Sequence, residues 1–208
     1  MKYDAVIYDI DGTLLDTIQM NMYPLLKIIE EELGEKKTFD EIKYCFSMTG
    51  KQTLEHLGID YERVYPRWVR YVNEYEQGAE PFDGVMAMVQ KVKSSGILQA
   101  VCSAKTRAQY EIDMNPELLS MMDAAVLFED TSKHKPDLEP LEEALRRLKV
   151  SKDRALYVGD ALADGKAAKA CGIDFAWAKW AGIEVNDMPR PDYLLQTPDD
   201  LWQVLKDE

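Results

Sequence analysis

From Val85 onward the chain repeats one pattern, a helical stripe followed by a short apolar run that ends in a small or polar residue. Val85, Met88, Val89 and Val92 recur at helical spacing, with Gly96 as the stop, and Ile97 to Cys102 follows as a strand. A polar helix is predicted around Thr106 to Asn115, then a strand at Ala124 to Phe128. Leu138, Leu141, Leu145 and Leu148 mark the next helix, and Ala155-Leu156-Tyr157-Val158 the next strand. An Ala-rich helix running to Cys171, a strand at Asp174 to Ala178, a short strand at Tyr193 to Leu195 and a helix from Asp199 to Leu205 complete the series. Strand–helix alternation of this kind predicts an α/β fold, a Rossmann-like parallel sheet with helices on both faces. Ligands of such sheets lie at the carboxyl ends of the strands.

The first strand comes much earlier, at Ala5-Val6-Ile7, and runs into Tyr8-Asp9-Ile10-Asp11-Gly12-Thr13. In an extended chain, alternate residues project to one side, so Asp9 and Asp11 are expected to converge there. Close carboxylates repel, and a divalent cation, a lysine or a shared proton must offset them. Gly12 lets the backbone turn away.

Between this stretch and the alternating region, only helix signals occur. Ile18, Met22, Leu25, Ile29 and Leu33 precede Gly34, with Pro24 either kinking the helix or marking its true start. Thr38-Phe39-Asp40-Glu41 and Thr49-Gly50-Lys51-Gln52 are capping-box patterns. Tyr61, Tyr65, Trp68, Val72 and Tyr75 form an aromatic stripe, read as a packing face. The expected organisation is an α/β core at 1–16 and 80–208 and an all-helical cap at 17–79.

At 208 residues, this length suits one large domain or a core with a small insert. The net charge of −13 is spread along the chain and argues against nucleic acid or an anionic membrane as partner. No apolar run approaches the ~20 residues of a membrane span. The start, Met1-Lys2-Tyr3-Asp4, lacks a signal-peptide layout. Cys45, Cys102 and Cys171 are widely spaced and read as reduced thiols, so the expectation is a cytoplasmic protein.

Four short motifs, each at a predicted strand end, resemble those of the haloacid dehalogenase-like (HAD) phosphatases. They are Asp9-Ile10-Asp11-Gly12-Thr13, Ser103, Lys135-Pro136, and Gly159-Asp160-Ala161-Leu162-Ala163-Asp164. The resemblance implies Asp9 as a nucleophile forming an aspartyl-phosphate and Asp11 as general acid and base. It places Ser103, Lys135, Asp11 and Gly12 around the phosphate. It implies Mg2+ held by Asp9, the Asp11 carbonyl and Asp160, with Asp164 orienting that shell or a metal-bound water. The helical segment at 17–79 matches the cap of the phosphoglycolate phosphatase and beta-phosphoglucomutase branch. Gly50 and Lys51 match its specificity loop in position, and Lys51 could meet a second anionic group. Asp11 argues against dehalogenation, because the dehalogenase branch lacks an acid there. Gly165 departs from the pattern, standing where an apolar residue is usual.

The implied function is Mg2+-dependent hydrolysis of a small phosphorylated metabolite, with phosphoglycolate one candidate, by a monomer or homodimer. A phosphomutase shares the same core motifs. A phosphoaccepting signalling module or a non-catalytic phosphate binder is the alternative from another class.

Overall fold

The computed structural model describes residues 1–206. Its main sheet has six strands: β1 (Ala5–Tyr8), β4 (Leu98–Cys102), β5 (Ala124–Val126), β6 (Ala155–Gly159), β7 (Asp174–Ala178) and β8 (Tyr193–Leu195). Their order is β5-β4-β1-β6-β7-β8, with every pairing parallel. The earliest strand is therefore central. It pairs with β4 from Ala5 opposite Leu98 and with β6 from Ala5 opposite Ala155. The strand order reverses about β1, so its carboxyl end opens at the position where such sheets bind ligands.

The period of two along β1 builds two cores. Val6 and Tyr8 pack on one face with α5 (Val85–Ser94), α7 (Pro116–Met121) and α10 (Asp200–Lys206). Ala5 and Ile7 pack on the other with α8 (Glu139–Leu148) and α9 (Leu162–Cys171). All four strand residues are fully buried, as expected of a central parallel strand.

Four helices occupy the intervening segment: α1 (Ile18–Leu33), α2 (Phe39–Ile42), α3 (Gly50–His56) and α4 (Tyr61–Asn73). They enclose a separate apolar cluster around Leu25, Ile28, Leu54 and Trp68. Pro24 lies inside α1, which begins at Ile18. Gly34 ends that helix in the left-handed region at φ 69°, as its position suggested. Thr49 caps α3 with the reciprocal Gln52 bonds of a capping box. The polypeptide leaves and re-enters the α/β layer through an antiparallel ribbon, β2 (Leu15–Asp16) against β3 (Glu80–Pro81). Neither short strand is evident from the sequence, and α7 is likewise unmarked by periodicity. The polar helix is α6 (Arg107–Asp113). No helix among the described residues is long and apolar enough to cross a membrane.

Candidate active site

Strand ends deliver the charged groups. Asp9 follows β1, and its N–H donates to the Val158 carbonyl at 2.8 Å. Asp160 follows β6, and Ser103 follows β4. One ligand atom each from Asp9, Asp160 and Asp164 lies within 4.8 Å of the others, and all three residues are buried. Lys135 reaches into this cluster, with its ammonium 2.8 Å from Asp9 Oδ1 and 2.7 Å from Asp164 Oδ1. It also donates to the Cys102 carbonyl at 3.1 Å and the Tyr157 hydroxyl at 2.9 Å. Burial would lower the Lys135 pKa, but Asp164 and Asp9 outweigh it and hold the ammonium well above its ordinary range.

The acids divide by what their oxygens already accept. Asp164 is the most heavily bonded: Oδ1 takes Lys135 and Tyr157 at 2.7 Å each, and Oδ2 takes the Ala161 N–H at 2.9 Å. It caps the start of α9 and holds Lys135 at once. Asp9 and Asp160 each engage one oxygen only, with Lys135 and with the Thr13 hydroxyl at 3.0 Å. Their second oxygens meet no donor among the described residues, and neither does the Asp11 carbonyl. Three hard oxygens on a pocket with more carboxylates than ammoniums suit a hard divalent cation. Asp9, Asp160 and the Asp11 carbonyl could hold such a cation directly, and Asp164 of the same cluster is bonded to Lys135.

Gly12 sits against this cluster with φ 77°, and a Cβ there would lie 2.3 Å from Asp160 Oδ2. Glycine is therefore required for both conformation and close approach. Gly165 is explained in the same way. A Cβ there would lie 2.6 Å from Met188 Sδ, so its place in α9 is set by packing against the 188–189 segment.

Burial, and after it the Asp164 carboxylate, pushes the Asp9 carboxyl up to about 7. The same two causes raise Asp160 well above its usual range. Without a cation, the folded chain holds protons here that an unfolded chain, with carboxyls at their ordinary 3.8, would release. The stability these groups contribute is complete below that value and is lost as pH rises through about 7. In thermal scans with EDTA, Tm is expected to fall from about pH 5 to about pH 8, and a divalent cation should remove that fall.

The strand ends at Tyr8, just before the two aspartates of the first motif, and each carboxylate has its own lysine, while the Asp11 charge still bears on Asp9. Asp11 Oδ1 accepts from the Thr17 hydroxyl at 2.6 Å and meets the Lys105 ammonium at 3.1 Å. The Lys105 side chain is 10% exposed and pairs more closely with Asp113 of α6. The sequence reading missed this residue. Its signal was its position just past Ser103, at the end of β4. Two indoles also fix the motifs: Trp180 Nε1 donates to the Thr13 carbonyl at 2.9 Å, and Trp177 Nε1 to the Asp160 carbonyl at 3.1 Å.

Ser103 is buried next to Lys135, with its Oγ accepting the Lys105 N–H at 3.2 Å. Burial pushes the neighbouring Cys102 thiol up to about 12, which leaves it inert as a nucleophile.

Asp11 opens into a cavity of about 180 Å3 between the helical segment and the carboxyl ends of β1 and β4. Gly50 lines it, and a Cβ there would strike the Tyr65 ring at 2.5 Å. Lys51 does not line it. The first turn of α3 carries its side chain outward, 61% exposed, toward Glu55 at 3.8 Å. The aromatic stripe of α4 also does more than pack, since Tyr65, Trp68 and Val72 face the cavity.

The family model for haloacid dehalogenase-like hydrolases matches residues 6–178, a span that holds all four motif positions. The chain belongs to that family. A Caldanaerobacter subterraneus protein provisionally named pyrophosphatase PpaX is 31% identical to this hydrolase over 99% of its chain and 94% of the relative. Pyrophosphatase PpaX of Bacillus cereus is 25% identical over 100% and 98%. A Lactobacillus plantarum structure, provisionally described as a phosphoglycolate phosphatase, superposes with a TM-score of 0.87 at 25% identity. It covers 98% of this chain and 100% of that one. This hydrolase is of the phosphatase branch of the family.

Proposed function

We propose that the enzyme is a Mg2+-dependent phosphomonoester hydrolase working through an aspartyl-phosphate on Asp9. The observation that carries this reading is the division of labour between the two aspartates. Asp9 is buried against Lys135 beside free carboxylate oxygens, whereas Asp11 borders a substrate-sized cavity.

Asp9 attacks phosphorus and the ester P–O bond breaks, with Asp11 giving its proton to the leaving oxygen. Asp11 then takes a proton from water as that water attacks the phosphorus of the acyl phosphate, which frees phosphate and regenerates Asp9. Lys135 fixes the attacking carboxylate and offsets phosphoryl charge, and the Ser103 hydroxyl is placed to bond a phosphoryl oxygen. Asp9, Asp160 and the Asp11 carbonyl would hold magnesium, which would supply charge neutralisation between anionic nucleophile and anionic substrate. Residues 17–79 act as the cap, hinged at the β2–β3 ribbon, and exclude water from the site. The substrate is a small phosphorylated metabolite. Phosphoglycolate enters as a candidate through the branch resemblance, and pyrophosphate through the relatives' name.

Phosphate release from p-nitrophenyl phosphate and a panel of small phosphoesters tests the assignment. Release is expected with Mg2+ and should be lost with EDTA. Undiminished release in EDTA would contradict the magnesium assignment. A folded, Mg2+-loaded protein inert toward every ester would contradict the hydrolase assignment.

A further inference from the structure

Resting on the hydrolase reading, we propose that the alcohol this enzyme releases is uncharged and about the size of a six-membered ring. The acid that protonates the leaving oxygen must touch it, so the leaving group occupies the cavity that Asp11 borders. Its walls are mostly apolar and aromatic, among them Met22, Phe46, Met48, Tyr65, Trp68 and Val69.

Among the described residues lining it, Lys105 is the one cation. Its ammonium already lies between Asp11 and Asp113, whose side chains are 31% and 9% exposed. A second anionic group on the substrate would meet a lysine committed to two carboxylates, and would lose its hydration without compensation. The polar atoms left are neutral. The Gln109 carbonyl oxygen is taken by Thr106, which leaves its amide N–H groups free, and Asn21 gives its N–H to the Thr17 carbonyl at 2.8 Å, which leaves its oxygen free. The Tyr65 hydroxyl has no partner among the described residues. These neutral donors and acceptors suit hydroxyls, and no uncommitted cation among the described lining residues balances a carboxylate or phosphate.

Size points the same way. A cavity of about 150 Å3 holds one benzene ring, so about 180 Å3, open to solvent on one side, has room for a ring of that size. A second gap, lined by His56, Pro136, Ala163 and Lys166, does offer a cation, but Asp11 does not line it.

The test compares kcat/KM, with Mg2+ present, within matched pairs of esters. The pairs are benzyl phosphate against 4-carboxybenzyl phosphate, and 2-hydroxyethyl phosphate against phosphoglycolate, with pyrophosphate as a further anionic case. The neutral member is expected to be favoured at least about tenfold in each pair, with pyrophosphate no better than the carboxylates. Val69→Lys, which adds a cation to the wall, is expected to narrow or invert both ratios; the wild-type ratios decide the matter by themselves if that variant does not fold. Equal or better hydrolysis of the anionic members by the wild type would overturn the inference while leaving the hydrolase reading intact. Absence of release from every ester would remove both.

Discussion

Asp9→Asn is expected to abolish phosphate release, with kcat falling by on the order of 10^4-fold or more. The amide matches the carboxylate in shape but cannot attack phosphorus, so the loss is chemical rather than architectural. Stability separates the two explanations. The Asp9 carboxyl is pushed up to about 7 by its burial, which means that its charged form is disfavoured in the fold. Asn removes that unfavourable charge while Lys135 keeps Asp164, 2.7 Å away, as its partner. The metal-free variant should therefore melt no lower than the wild type at about pH 8. Thermal denaturation alongside phosphate assay checks both halves. An inactive variant with a much lower Tm would point to lost structure instead of a lost nucleophile.

Lys135→Met carries the second large effect, and here activity and stability fall together. The Lys135 side chain is 8% exposed and, among the described residues, is the one ammonium facing Asp9 and Asp164. Its loss leaves buried carboxylates without their counter-charge, and orphaning a buried ion typically costs about 3–5 kcal/mol. The expected result is a drop of that order in unfolding free energy at about pH 8, measured by denaturant titration in EDTA. Mg2+ should restore part of it, because a cation at Asp9 and Asp160 replaces some of the missing charge. Acid should restore part too, because the carboxyls can take protons. Rate should fall by about 10^2–10^3-fold even with Mg2+, the usual loss when one fixed group that stabilises transition-state charge is removed. A variant as stable as the wild type in EDTA would contradict the buried-cluster electrostatics.

Much of this arrangement is readable before any coordinates. An apolar run that ends abruptly in Asp9, Ser103 or Asp160 marks both a strand and its carboxyl end, because buried strands and polar ligands have opposite compositional demands. Helix ends were legible where a local rule acts, as at Gly34, Gly172 and the Thr49 capping box.

What escaped the reading depends on contacts between distant residues. Lys105 looks like any solvated lysine until Asp11 and Asp113 close on it from two other elements. Tyr157 reads as one more apolar strand residue, yet its hydroxyl joins Lys135 and Asp164. The β2–β3 ribbon pairs residues about 65 apart with two positions on each side, too few for any periodicity. Position along a loop says nothing about which way the first helical turn will aim a side chain, and Lys51 lies toward Glu55 and outside the cavity lining. The same blindness hid the double duty of the α4 stripe, where Trp68 belongs to the apolar cluster and also borders the cavity.

The central claim is that the phosphoryl group resides on Asp9 during turnover. Acid quenching followed by borohydride reduction converts an aspartyl-phosphate to homoserine, which peptide mass spectrometry locates. Asp11→Asn with p-nitrophenyl phosphate is the sample of choice, because that leaving group departs without a proton while water activation is impaired, so the phosphoenzyme should accumulate. The expected product is homoserine at position 9 and at no other aspartate. Phosphate released steadily while the Asp9 peptide stays unmodified, or homoserine found at another aspartate, would contradict the account.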